Sequence, residues 1–178
     1  MKSRPKPSRE VADAQLLRRT FGAFATGVTV VTTGGENPHG MTANSFTSVS
    51  LDPPLLLVCV RRNAVMHRIL TANAYFGVSV LAAHQELVAA HFADRWRPLG
   101  GAQFDNIDWR PGRVTAAPLI NGALARLECE LWQTYDGGDH TIFVGNLLSM
   151  EPPTEQDALL FFRGRFRQIY PERSEMSA

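Results

Sequence analysis

The sequence predicts a mainly β fold: a barrel of about seven strands, with short helices inserted between them. Three observations point there. Apolar and β-branched runs of strand length recur along the chain, at Val28–Thr33, Leu55–Val60 and Tyr75–Leu81. No long series of alternating βα units appears, which argues against a doubly wound parallel sheet. The 178 residues suit one domain, and closing the strands on themselves removes exposed edges.

The elements follow in order. Residues 1–8 carry basic residues and two prolines and read as a solvated, disordered tail. Ser8 is placed to cap a helix over 9–24, with Val11, Ala14, Leu16, Leu17 and Phe21 on its apolar side and Arg18 and Arg19 on its wet side. After the strand Val28–Thr33, Gly34–Gly40 makes a turn and Met41–Ser50 is extended. Asp52-Pro53-Pro54 interrupts it, because proline cannot join a central ladder. Leu55–Val60 is a buried strand, Ala64–Asn73 a short helix and Tyr75–Leu81 another strand. His84–Ala93 is a helix with Leu87, Val88, His91 and Phe92 on one side. Trp96–Asn106 is irregular.

From Leu119 to Tyr135 the pattern alternates, with Ala125, Leu127, Cys129 and Leu131 against Arg126, Glu128 and Glu130. Asp136–Asp139 reads as a four-residue loop, and His140–Met150 returns as a strand. That strand is apolar on both faces: Ile142 and Val144 on one, Phe143 and Leu147 on the other. A doubly apolar strand calls for cover by a helix or a second subunit. Ala158–Phe162 and Arg165–Ile169 close the domain, which spans 9–170, and 171–178 fray.

Composition narrows the function. With 18 basic and 17 acidic residues there is no global field to draw nucleic acid. No apolar run nears the roughly 20 residues of a membrane helix. Cys59 and Cys129 form neither a disulfide framework nor a zinc knuckle, and the start of the chain lacks an apolar secretory core, so a reducing cytoplasm is expected. His84 and His91 lie a heptad apart, but no metal-binding spacing emerges, and neither a Rossmann fingerprint nor a Walker loop occurs.

Three groups carry chemistry. Thr42, Asn44, Ser45, Thr47, Ser48 and Ser50 form a wall of neutral donors and acceptors. Such a wall faces either water or a polar ligand, because buried unpaired groups cost roughly 1–3 kcal/mol each. Arg61 and Arg62 stand where a strand ends and a helix begins, a placement suited to an anion; the pattern does not say which arginine serves it. His140 opens a strand after a tight turn, where it can bond a ligand amide, donate a proton or simply support the turn.

The blocks Ala25–Thr33, Gly40–Leu55 (Gly-Met-Thr-Ala-Asn-Ser-Phe-Thr-Ser-Val-Ser-Leu-Asp-Pro-Pro-Leu), Phe76–Leu81, Gly138-Asp139-His140-Thr141 and Val144-Gly145 together resemble the flavin reductase-like family. Its members are short-chain NAD(P)H:flavin oxidoreductases that serve as small components of two-component flavin monooxygenases. The resemblance spans about residues 16–170 and implies an FMN-binding split β-barrel, a homodimer, FMN or FAD, and NADH or NADPH as hydride donor. By position it implies that Thr42, Asn44 and Ser45 contact the isoalloxazine edge and ribityl chain, and Ser48 and Arg61 the phosphate side. Cys59 and Val60 would contribute backbone groups, Phe92 an aromatic ring near the flavin, and His140 a contact to nicotinamide. Arg165 and Phe166 would border the same pocket. No single residue is implied as a catalytic acid or base. Family members often carry Ser or Thr shortly after the position of Asn63, where this chain has Ala64, Val65 and Met66. A partner monooxygenase would receive reduced flavin by diffusion. The alternative activity on the same fold is a flavin carrier or redox sensor without NAD(P)H turnover.

Overall fold

A computed structural model describes residues 9, 11 and 13–169; the expected tail over 1–8, its Ser8 cap and the C-terminal 171–178 lie outside the described residues. The chain runs α1 (Ala14–Phe21), β1 (Thr26–Gly27), β2 (Thr29–Thr33), β3 (His39–Ala43), β4 (Thr47–Leu51), β5 (Pro54–Arg61) and α2 (Val65–Ala72). There follow β6 (Tyr75–Val80), α3 (Glu86–Ala93), β7 (Trp109–Pro111), β8 (Pro118–Ile120), β9 (Ala125–Gly137), β10 (His140–Met150), β11 (Leu160–Phe162) and β12 (Arg165–Arg167).

Seven strands form one antiparallel sheet in the order β3-β2-β6-β9-β10-β5-β4. The sheet curls around a core of Val31, Val58, Phe76, Val78, Cys129 and Phe143, and α2 plugs it with Met66 and Leu70. It does not close: β3 and β4 are its two edges. The expected closing strands β11 and β12 pair with β1 in a separate three-stranded sheet. A second core lies there, where Val30, Leu81, Ala89, Phe92, Phe104 and Leu159 meet beneath α3. β2 is buried along its whole length because it stands between the two cores.

Several expectations are corrected. α1 starts at Ala14 rather than 9, because Asp13 caps it, its Oδ1 accepting from Gln15 N (2.8 Å) and Leu16 N (3.1 Å). No residue of α1 is buried, and Phe21 and Phe24 are exposed. In α3 the buried face is Ala89 and Phe92, following Gln85, and Leu87 points outward. Positions 85, 89 and 92 share one helical stripe, and 87 falls opposite it. The β9–β10 loop has two residues, not four: Gly137 pairs with His140. Gly138 has φ +77°, at the first loop position, where a tight hairpin favours glycine. Pro54 does not break the chain; it opens β5 opposite Leu51, next to an edge strand.

Glu128 departs most from the alternation. It is 3% exposed, roofed by the loop 112–117. On β10, Phe143 enters the core as expected, while Ile142 lies opposite Cys59 on the outer face, and both are half-buried.

Candidate functional site

Antiparallel register assembles the site from segments far apart in sequence. Where β5 and β10 end, Arg61 faces His140, Val60 faces Thr141 and Cys59 faces Ile142. β4 flanks β5 on the other side, with Thr47 opposite Leu57 and Ser48 opposite Leu56. The link between β3 and β4 is fastened here by Ser45, whose Oγ accepts from Cys59 N (2.9 Å) and donates to Cys59 O (3.1 Å). Ser45, Ser48, Cys59, Val60, Arg61 and His140 thus gather along neighbouring strands, with Asn44 beside Ser45.

The polar wall divides into two kinds of group. Thr42 and Ser45 use their hydroxyls inside the protein: Thr42 Oγ1 donates to Ala89 O (2.6 Å), and Ser45 bridges the two backbone groups of Cys59. Asn44, Thr47 and Ser48 are exposed, and their side chains have no hydrogen bond among the described residues. They are the members of the wall that can meet a ligand. Phe92 is 1% exposed and packs on Gly40, where a Cβ would come within 2.5 Å of its ring. It shapes the site from behind, through β3. Arg165 and Phe166 lie on β12 in the smaller sheet, Phe166 packed edge-on against Phe161 (5.7 Å). No hydrogen bond ties them to the Arg61–His140 group among the described residues.

Geometry separates the two arginines. Arg62 turns to the β9–β10 hairpin, where Nε donates to Gly138 O (2.8 Å) and Nη2 bonds Asp136 Oδ1 (2.9 Å). Arg61, half-buried beside it, has no side-chain hydrogen bond or ion pair among the described residues. It is the cation left for an external anion. Ala64 caps α2 without a side-chain hydrogen bond, which leaves N–H groups of the first turn open next to Arg61.

His140 is only partly exposed, and its Nδ1 lies 2.7 Å from Asp139 Oδ1. The carboxylate is an acceptor, which assigns the proton to Nδ1 and leaves Nε2 as the acceptor of the neutral ring. The hydrogen bond from His140 holds the Asp139 carboxyl below its ordinary value. Asp139 is a site residue that the residue-by-residue reading missed, although its place next to His140 was the available signal. Burial raises the Cys59 thiol, away from thiolate character.

The arrangement offers an unpaired guanidinium, open amide and hydroxyl groups and one oriented imidazole. These residues fit a molecule with an anionic arm and a flat, acceptor-rich ring, and chemistry supplied by the ligands themselves.

Comparison with known proteins agrees with this. The flavin reductase like domain matches residues 21–170. The NADH-dependent FAD reductase of Streptomyces globisporus is 56% identical over 92% of this chain and 90% of its own length. The solved structure of SgcE6, the NADH:FAD oxidoreductase of that organism, in complex with NAD and FAD fragments, superposes with a TM-score of 0.86 at 54% identity, covering 91% of this chain and 96% of that one. BorF, the flavin reductase component of a bacterial two-component tryptophan halogenase, does so with a TM-score of 0.86 at 58% identity, covering 90% and 100%. The chain belongs to the flavin reductase-like family and has its split-barrel fold.

Proposed function

We propose that this protein uses NADH to reduce FAD or FMN and releases the reduced flavin to a separate monooxygenase component. The observation that carries the reading is the pairing of unpartnered Arg61 with Asp139-oriented His140 across β5 and β10, beside the open Asn44–Ser48 wall. Relatives named as an NADH-dependent FAD reductase and as the reductase subunit HsaB of a flavin-dependent monooxygenase from Rhodococcus jostii support it. The hydride moves between the two ring systems, so the protein needs no acid or base for that step.

What the chain's own residues do is bind and orient. Arg61 and the open turn of α2 hold the phosphate side of the flavin. Asn44, Thr47 and Ser48 offer donors and acceptors to its polar edge. Nε2 of His140 accepts from the carboxamide N–H of nicotinamide. Stacking the two rings then converts an encounter between small molecules into a reaction within one site.

Two substitutions separate these roles. Arg61→Ala should weaken FAD binding by about 10- to 100-fold, the range expected for losing a charge-assisted hydrogen bond, as read by fluorescence titration. His140→Ala should raise KM for NADH by about tenfold while leaving FAD affinity unchanged. Initial rates for two flavins crossed with two pyridine nucleotides test the whole reading. A preference for NADH and FAD is expected; no rate with any of the four pairs refutes it.

The active unit is a homodimer in this reading. The apolar side of α1, which the described chain leaves uncovered, and the half-buried outer face around Cys59 and Ile142 support a second copy. Light scattering on the purified protein measures it, and a monomeric mass at assay concentration refutes it.

A further inference from the structure

The Gly138-Asp139 turn that presents His140 is held from outside its own hairpin. Arg62 makes three bonds to it: N to Asp139 O (3.0 Å), Nε to Gly138 O (2.8 Å) and Nη2 to Asp136 Oδ1 (2.9 Å). Asp136 Oδ1 in turn accepts from Gly138 N (2.8 Å). A second tie lies one residue beyond His140, where His67 Nε2 meets Thr141 Oγ1 at 2.8 Å. The His67 ring also stands edge-on to Phe143 (5.4 Å). Both anchors come from the stretch between the end of β5 and the first turn of α2, the same stretch that carries Arg61. The β5–β10 ladder ends at the Arg61–His140 pair; beyond it, among the described residues, the backbone bond from Arg62 N and the two bonds of the Arg62 guanidinium fix the turn to the end of β5.

We infer that Arg62 and His67 are positioning residues, which lock the His140 turn to the Arg61 segment and so set the spacing between the nicotinamide contact and the phosphate contact. This rests on the reading of His140 and Arg61 given above. The Arg62–Asp136 pair is exposed at both ends (48% and 80%), so its effect lies in geometry rather than in global stability. Two carbonyls and a carboxylate are met at once by one planar fork and its own backbone N–H. A lysine can reach only part of that set.

The test compares Arg62→Ala, Arg62→Lys, His140→Ala and the double variant Arg62→Ala/His140→Ala. Readouts are KM and kcat for NADH, NAD affinity by calorimetry, FAD affinity, and amide hydrogen exchange over 138–141. Arg62→Ala should raise KM for NADH about tenfold, with kcat within about threefold, and speed exchange in the turn at least tenfold. FAD affinity should hold, Arg62→Lys should fall between, and the double variant should add little to His140→Ala. His67→Phe keeps the edge contact but loses the bond, and should reproduce part of the effect. If His140→Ala raises KM and Arg62→Ala changes neither KM nor exchange, the positioning role is overturned while the nicotinamide reading stands. If His140→Ala leaves KM unchanged, the nicotinamide reading fails and this inference with it. If Arg62→Ala weakens FAD instead of NAD, Arg62 is a phosphate ligand and the inference is overturned.

Discussion

Glu128→Ala should lower the unfolding free energy by about 3–5 kcal/mol, the largest loss expected from any single polar truncation in this chain. The side chain stands on β9 at 3% exposure, and its carboxylate accepts four hydrogen bonds from one loop. Oε2 accepts from Val114 N (2.9 Å), Thr115 N (2.7 Å) and Thr115 Oγ1 (2.8 Å), and Oε1 accepts from Arg113 N (3.1 Å). Burial raises this carboxyl, but the four hydrogen bonds outweigh it and hold it below its ordinary value. Truncation leaves those donors without a partner and opens a void beside Gly112, where the carboxylate now fills the place a Cβ would need. Glu128→Gln is the control. It keeps one acceptor but turns an amide toward N–H groups, and should recover only part of the loss. Urea unfolding measures both, and a change under 1 kcal/mol for the alanine variant would contradict the assignment.

Acid should remove about 3 kcal/mol of stability between pH 6.5 and pH 4 through one residue, His39. This histidine is 3% exposed on the edge strand β3, and its pKa is lowered to about 4 by burial first and by the Arg97 guanidinium second. The group nearest each ring nitrogen bears only N–H: Gln103 Nε2, which already donates to Pro38 O and Gly100 O, is 3.4 Å from Nδ1, and Arg97 Nη2 is 3.4 Å from Nε2. A protonated ring would have no acceptor to bond. In the unfolded chain the same histidine takes its proton near pH 6.5. The unfolded state therefore binds more protons between the two values, and stability falls as pH drops through that window. Below about pH 4 the loss is complete for His39, and further loss belongs to carboxylates such as Glu128. Denaturant midpoints at half-unit pH steps read the curve. His39→Gln should flatten the limb between pH 6.5 and 4, and a limb of unchanged depth would place the acid sensitivity elsewhere.

The His39 cluster also shows what the sequence made legible and what it hid. Strand-length runs and turn residues located β2, β5, β6, β9 and β10, because period and β-branching are local properties. The polar segment Gly40–Ser50 stood out by composition, as a run of small neutral side chains. What was hidden depends on contacts distant in sequence. Nothing near Thr42 tells that its hydroxyl reaches Ala89 O, and nothing near Ser45 tells that it staples Cys59. Arg61 and Arg62 are indistinguishable as a pair. β5 ends at Arg61 and Arg62 stands in the turn after it, and only the hairpin 74 residues away decides which one is already engaged. The alternation in β9 put Glu128 in solvent, and a loop 13–15 residues upstream reversed that. The sheet order explains the failure of closure. The strands expected to complete the barrel found β1 instead and built a second core.

Anaerobic stopped-flow mixing of the protein with NADH and a large excess of FAD tests the central claim most directly. The account predicts loss of the oxidised flavin band for many equivalents of FAD per protomer, at a rate that saturates with NADH and slows at low NADH in His140→Ala. Bleaching that stops at one flavin per protomer, or none at all, would contradict it and identify a carrier or sensor in place of a reductase.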